Sequence, residues 1–88
     1  MPRIRYTQRF KRKYARLSAA IQAKIDKQIA LLAENPRHPS LRSKPIQGLV
    51  GIYEARIDQD YRLTYQRLPG GILLLRVVAS HEDALKKP

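Results

Sequence analysis

The spacing of hydrophobic residues changes period partway along the chain. In Gln8–Leu17, Phe10, Tyr14 and Leu17 stand at i, i+4 and i+7, the repeat of one helix face. Arg9, Lys11, Arg12, Lys13 and Arg16 occupy the other positions. Ser18 is a plausible N-cap or break. Behind it, Ile21, Ile25, Ile29 and Leu32 keep helical spacing as far as Glu34. Asn35-Pro36 is a stop, because asparagine tolerates a left-handed C-cap and proline cannot continue a helix. Two amphipathic helices joined this tightly predict a helical hairpin. Ahead of them, Arg3–Tyr6 alternates basic with apolar or aromatic residues and predicts a short strand.

Residues 36–51 form a loop with three prolines, two glycines and the cations Arg37, Arg42 and Lys44. Beyond it the period becomes two. Ile52–Ile57 and Tyr61–Arg67 read as strands around an Asp58-Gln59-Asp60 turn. Leu68-Pro69-Gly70-Gly71 is a second turn. Ile72–Ala79 is a third strand, apolar on both faces except at Arg76, which suits the middle of a sheet. Ser80–Lys87 is a short tail with room for one helical turn. The order is strand, helix, helix, then three strands. This predicts an α+β domain spanning residues 1–88, with the hairpin packed on one face of a mainly antiparallel sheet of about four strands.

Alternation along the strands sorts their side chains by face. Tyr53, Ala55 and Ile57 share one face of the first meander strand, as do Tyr61, Leu63 and Tyr65 of the second; these should meet the helices. Glu54, Arg56 and Arg62 are left together on the other face, which nothing obvious covers.

Composition adds two facts. The chain has 88 residues and no cysteine, which excludes a second core, a disulfide framework and a thiolate metal site. No apolar run approaches the ~20 residues of a membrane span, and Met1–Tyr6 is basic without the apolar stretch of a signal peptide. We therefore expect a soluble cytoplasmic protein. There are 18 Lys+Arg against 7 Asp+Glu, a formal net charge of +11. Such an excess acts against the compact state by self-repulsion and suits a polyanionic partner. Two arginines on an uncovered sheet face beside a basic loop concentrate positive potential where a phosphate could sit. His81, in Ala79-Ser80-His81-Glu82-Asp83, is the side chain best suited to move a proton near neutral pH. His38 lies in the proline-rich loop. Two histidines and scattered carboxylates show no metal-ligand spacing, so neither metal nor cofactor is expected.

Three segments in this order resemble the RelE/ParE toxin superfamily: Lys44-Pro45-Ile46-Gln47-Gly48 through Tyr53, Tyr61-Arg62-Leu63-Thr64-Tyr65, and Ser80-His81-Glu82-Asp83-Ala84-Leu85, all behind a basic helical hairpin. The likeness covers nearly the whole chain. It implies the toxin of a type II toxin–antitoxin pair, and for RelE-like and YafQ-like members a ribosome-dependent, metal-independent mRNA endonuclease. There the ribose 2′-hydroxyl attacks the adjacent phosphate, a reaction that needs proton carriers and cationic hydrogen-bond donors. By this resemblance Arg62 corresponds to a phosphate-stabilising arginine and His81 to a C-terminal catalytic histidine. Arg56 is a second stabilising cation, Asp60 orients a partner, and Lys44 touches the RNA backbone. Arg3, Arg5, Arg9, Lys11, Arg12 and Lys13 would grip ribosomal RNA through its phosphates. The chain departs from the pattern twice: Glu54 stands at one position of a basic pair, and Leu85 where many members have an aromatic residue; His81 is then the one clear proton carrier, with the second role open to Glu54 or Lys44. The implied partners are an acidic cognate antitoxin and the ribosome with its mRNA, with no membrane and with DNA met only through the antitoxin. Two other readings stay open, a ParE-like gyrase inhibitor that would not need His81, and a non-toxic basic binding module or leading domain of a longer chain.

Overall fold

The computed structural model describes residues 2–88. Its elements are β1 (Arg3–Tyr6), α1 (Gln8–Ala15), α2 (Ala19–Glu34), β2 (Lys44–Pro45), β3 (Ile52–Arg56), β4 (Tyr61–Leu68), β5 (Ile72–Ser80) and α3 (His81–Lys86), with a single 3₁₀ turn at Pro39–Leu41. The sheet has five strands in the order β1-β5-β4-β3-β2. The expected α+β architecture and the antiparallel β3-β4-β5 meander are both present. The sheet gains a strand because the proline-rich loop contributes β2, antiparallel to β3. A two-residue strand is too short for any hydrophobic period to announce it. β1 pairs parallel with β5, with the hairpin inside the long connection between them, so β5 lies in the interior of the sheet as its apolar sequence requires.

Caps define the helices. The Thr7 side chain accepts the Phe10 N–H at 3.0 Å, and Ser18 accepts the Ile21 N–H at 3.3 Å. α1 ends at Ala15, two residues before its apolar spacing runs out, and Arg16 and Leu17 close it with tighter bonds to the Lys13 and Tyr14 carbonyls. Asn35 does end α2, but in extended geometry (φ −155°) and not in the left-handed cap expected for it. The following Pro36 explains this, since a residue before proline is driven toward extended backbone.

The core lies between the hairpin and one sheet face. Phe10, Ile25 and Leu32 from the helices meet Ala55, Leu63, Tyr65, Leu73, Leu75 and Val78 from the strands. Tyr65 is fully buried, and its hydroxyl is hydrogen-bonded to Ser43. Tyr53 stacks on Tyr65 at 5.4 Å between ring centroids, and the Arg67 guanidinium lies 4.4 Å above the Tyr53 ring, closing that end of the core. Between β4 and β5 the register shifts: Thr64 faces Val77 and Tyr65 faces Leu75, which makes Arg76 the extra residue of a bulge. The carbonyl it displaces accepts the Thr7 hydroxyl at 2.7 Å. The cap of α1 is thereby fastened to the sheet. Gly70 and Gly71, at φ 80° and 71°, turn β4 into β5 through two successive left-handed residues.

The opposite sheet face is only partly open. α3, capped by Ser80, packs against β4 and β5 with Ala84 fully buried, where the sequence suggested at most one turn over an uncovered face. The Arg76 guanidinium donates to Gln66 Oε1 at 2.8 Å and to the Pro88 carbonyl at 3.0 Å, tying the segment after α3 to the bulge.

Thr7→Val keeps shape but removes both bonds of the hydroxyl and strands the Arg76 carbonyl. Loss of about 2 kcal/mol is expected, read as a lower urea midpoint at unchanged slope.

Candidate functional site

Cross-strand pairing arranges the partly open face in rows. Lys44 pairs with Glu54, Glu54 with Thr64, and Thr64 with Val77. In the next row Arg56 pairs with Arg62, and Arg62 with Ala79. β5 ends at Ser80, so His81 emerges beside the arginine row at the start of α3. The result is a cavity of about 190 Å³ lined by Arg42, Lys44, Glu54, Arg56, Arg62 and His81. Every lining side chain is ionisable, and Glu54 alone is an acid.

The Asp58-Gln59-Asp60 turn fixes two of these groups. The Asp58 carboxylate accepts the N–H of Asp60 and of Tyr61, each at 2.8 Å, and a salt bridge from Lys24 Nζ at 3.2 Å. Burial pushes its pKa up, but the two backbone donors and Lys24 outweigh that effect and hold it below the ordinary carboxylate range. The turn's carbonyls face inward. Arg62 Nη1 donates to Asp58 O at 2.6 Å and to Tyr61 O at 2.9 Å. The His81 N–H donates to Asp60 O at 2.8 Å. Arg62 is thus anchored through one nitrogen, with the donors on Nε and Nη2 making no hydrogen bond among the described residues. Gln28, buried on α2, donates to the Arg56 carbonyl at 2.7 Å and so ties that end of β3 to the hairpin.

Of the residues named from sequence, Lys44, Arg56, Arg62 and His81 come together in the cavity. Asp60 stands next to it, and its backbone carbonyl is what reaches His81; its side chain is exposed and outside the lining. Arg3, Arg5, Lys11, Arg12 and Lys13 are exposed and Arg9 half-buried on β1 and α1, away from this lining. His38 caps the 3₁₀ turn, accepting the Ser40 N–H at 3.2 Å through Nδ1.

Arg42 is a lining residue that neither strand alternation nor the resemblance singled out. It follows the 3₁₀ turn with φ 45° and ψ 41°, the left-handed region that non-glycine residues seldom occupy. Only the basic character of the loop pointed toward it. A neighbouring cavity of about 500 Å³ shares Lys44, Glu54 and His81 and adds Pro45, Ile46, Gln47 and Leu85. Leu85 is 39% exposed at its edge. A separate groove of about 340 Å³ lies on the hairpin, lined by Tyr6, Phe10, Lys11, Tyr14, Asp26 and Ile29. There Tyr14 donates to Asp26 at 2.7 Å, a bond that holds the phenol pKa above its usual value. Among the described residues no group of three or more His, Asp or Glu is placed to hold a metal ion, and no helix is long and apolar enough to cross a membrane.

A β-meander backed by a helical hairpin is the architecture of the RelE/ParE toxin superfamily. Residues 4–84 match the family described as the ParE toxin of the type II toxin–antitoxin system parDE, and the chain belongs to that family. A comparison with curated proteins finds no match. Among solved structures, a YoeB/ParE toxin from Agrobacterium tumefaciens superposes with a TM-score of 0.76 at 21% identity, over 90% of this chain and 98% of that one. A chain of the E. coli DinJ-YafQ toxin–antitoxin complex gives 0.76 at 20%, over 93% and 94%. The isolated E. coli RelE toxin gives 0.74 at 18%, over 99% and 98%. At these identities the structures establish the fold.

Asp58→Ala should loosen the turn that fixes Arg62 and His81. Because the carboxylate's folded pKa is lowered, its contribution is complete above the ordinary carboxylate range and fades as pH falls through the lowered value. The variant should lose about 2 kcal/mol near neutrality and show a flatter decline of stability below about pH 4. Urea titrations across pH test both.

Proposed function

We propose that this toxin is a ribosome-dependent, metal-independent mRNA endonuclease. The observation that carries the reading is the 190 Å³ cavity, where Arg42, Lys44, Arg56 and Arg62 surround His81. In the reaction the 2′-hydroxyl loses its proton and its oxygen bonds to phosphorus. The P–O5′ bond breaks, and the departing 5′-oxygen gains a proton. The products are a 2′,3′-cyclic phosphate and a 5′-hydroxyl. His81 serves as acid or base in one of these proton transfers, and solvent water serves in the other, since Glu54 is engaged by Lys44. Arg62, through Nε and Nη2, and Arg56 stabilise the charge that builds on the phosphorane oxygens. Asp60 acts through its carbonyl, which fixes the backbone of His81, and Lys44 contacts the RNA backbone. Arg3, Arg5, Arg9, Lys11, Arg12 and Lys13 on β1 and α1 grip ribosomal RNA, a contact weakened by salt.

The partner that silences the toxin is an acidic antitoxin. Antitoxins accompany the related toxins in the DinJ-YafQ and RelBE complexes. The hairpin groove offers apolar walls at Tyr6, Phe10 and Ile29 beside Lys11, which suits an amphipathic acidic segment. The family's description favours a second reading, gyrase inhibition, because it names ParE. That activity would rest on binding and would not use His81.

Purified toxin added to a translating extract should create new mRNA 5′ ends within reading frames, mapped by primer extension. His81→Ala and Arg62→Ala should each reduce cutting by a factor of about 100 or more. Intact mRNA together with inhibited supercoiling would support the gyrase reading.

A further inference from the structure

The one acid of the cavity has no part in the chemistry above, and its surroundings are unusual for a carboxylate. Glu54 is 4% exposed, while the Lys44 side chain that pairs with it is 68% exposed. The two residues face each other across β2 and β3, with Lys44 Nζ 3.3 Å from Glu54 Oε1. Among the described residues Glu54 Oε2 is buried without a hydrogen-bond partner, and so is the hydroxyl of Thr64, the cross-strand neighbour on its other side. Lys44 is therefore the partner that compensates this carboxylate directly. Arg42, Arg56, Arg62 and His81 face it around the same cavity without pairing with it, and Lys44 and His81 also face it in the neighbouring one. Glu54 thus shares the cavity that a phosphate would enter, and it engages the exposed lysine that such a phosphate would use.

We propose that Glu54 is a built-in counter-charge that occupies Lys44 in the empty site and competes with an RNA phosphate for it. Binding of RNA moves the Lys44 ammonium, at the solvent-exposed rim, from Oε1 to a phosphate oxygen. The phosphate must also approach against the carboxylate. Both effects oppose indiscriminate binding of polyanions by a chain of net charge +11. Glu54 touches neither the substrate nor a proton in flight; it acts through Lys44. The inference rests on the reading of the cavity as an RNA-phosphate site.

The test measures binding of a single-stranded 2′-O-methyl oligoribonucleotide, which lacks the attacking hydroxyl and cannot be cut. Wild type, Glu54→Gln, Lys44→Met and the double variant are compared over a range of salt. Glu54→Gln should bind roughly fivefold more tightly or better at low salt. The phosphate contacts are the same in both proteins, but the wild-type carboxylate that Lys44 leaves takes up a cation and offsets about one contact's worth of ion release. The log–log salt dependence of Glu54→Gln should therefore be steeper by about 0.7. In the Lys44→Met background the steepening should vanish. Glu54→Thr, which suits a strand, takes the place of the glutamine variant if that one melts early. Unchanged or weaker binding by folded Glu54→Gln or Glu54→Thr would overturn the proposal and make Glu54 a support that aims Lys44 at phosphate. If wild type and all variants bind no RNA, the RNA-site reading itself falls, and the counter-charge with it.

Discussion

Burial of one sheet face against the helical hairpin is the constraint from which the rest of the structure follows. Ala55, Leu63 and Tyr65 must point toward Phe10, Ile25 and Leu32 for the domain to have a core at all. Strand geometry then leaves Glu54, Arg56, Arg62 and Thr64 no choice of direction. A slip of one residue in β3 or β4 would bury the arginines and expose the core. The cationic cavity is in this sense the reverse side of the hydrophobic core. The same residues that give a small domain its stability hold its charged groups in rows.

How much of this could be read in advance depended on range. The helices, the meander and the facing of Arg56 and Arg62 are written in periods of 3.6 and 2 and were legible. The superfamily was legible from the Lys44, Tyr61–Tyr65 and Ser80–Leu85 segments, and the match over residues 4–84 agrees with it. Features set by single long-range bonds were not. β2 exists because Lys44 and Pro45 find β3, and the helical turn expected after Ser80 covers part of the open face because Ala84 finds β4 and β5. Arg42 reaches the cavity through a left-handed backbone that no residue pattern signals. Nor was it signalled that Asp60, expected to orient a partner, reaches the His81 N–H through its backbone carbonyl. The extended geometry of Asn35 shows one local rule, the restriction before proline, overriding another.

The site also shows how a strongly basic protein localises its charge. Half of its 18 Lys and Arg residues lie on β1 and the helices, nearly all of them exposed, where salt screens them. Four converge on one cavity with a histidine and a buried acid. Convergence onto partly desolvated ground distinguishes this cavity from a merely attractive surface. It is achieved with backbone carbonyls from one turn that anchor Arg62 and His81 together.

The ends of the sheet have a consequence for association between molecules. An open strand edge is a template for another chain, and small β-proteins need some device against it. β2 is two residues long, exposed, and made of a lysine and a proline, so its outer side offers an incoming strand almost no ladder and a repelling charge. β1, at the other edge, is four residues long and presents Arg3 and Arg5. The strands long enough to nucleate a stack, β4 and β5, are both interior. The same cationic residues that suit a polyanion therefore also discourage the sheet from growing into an aggregate.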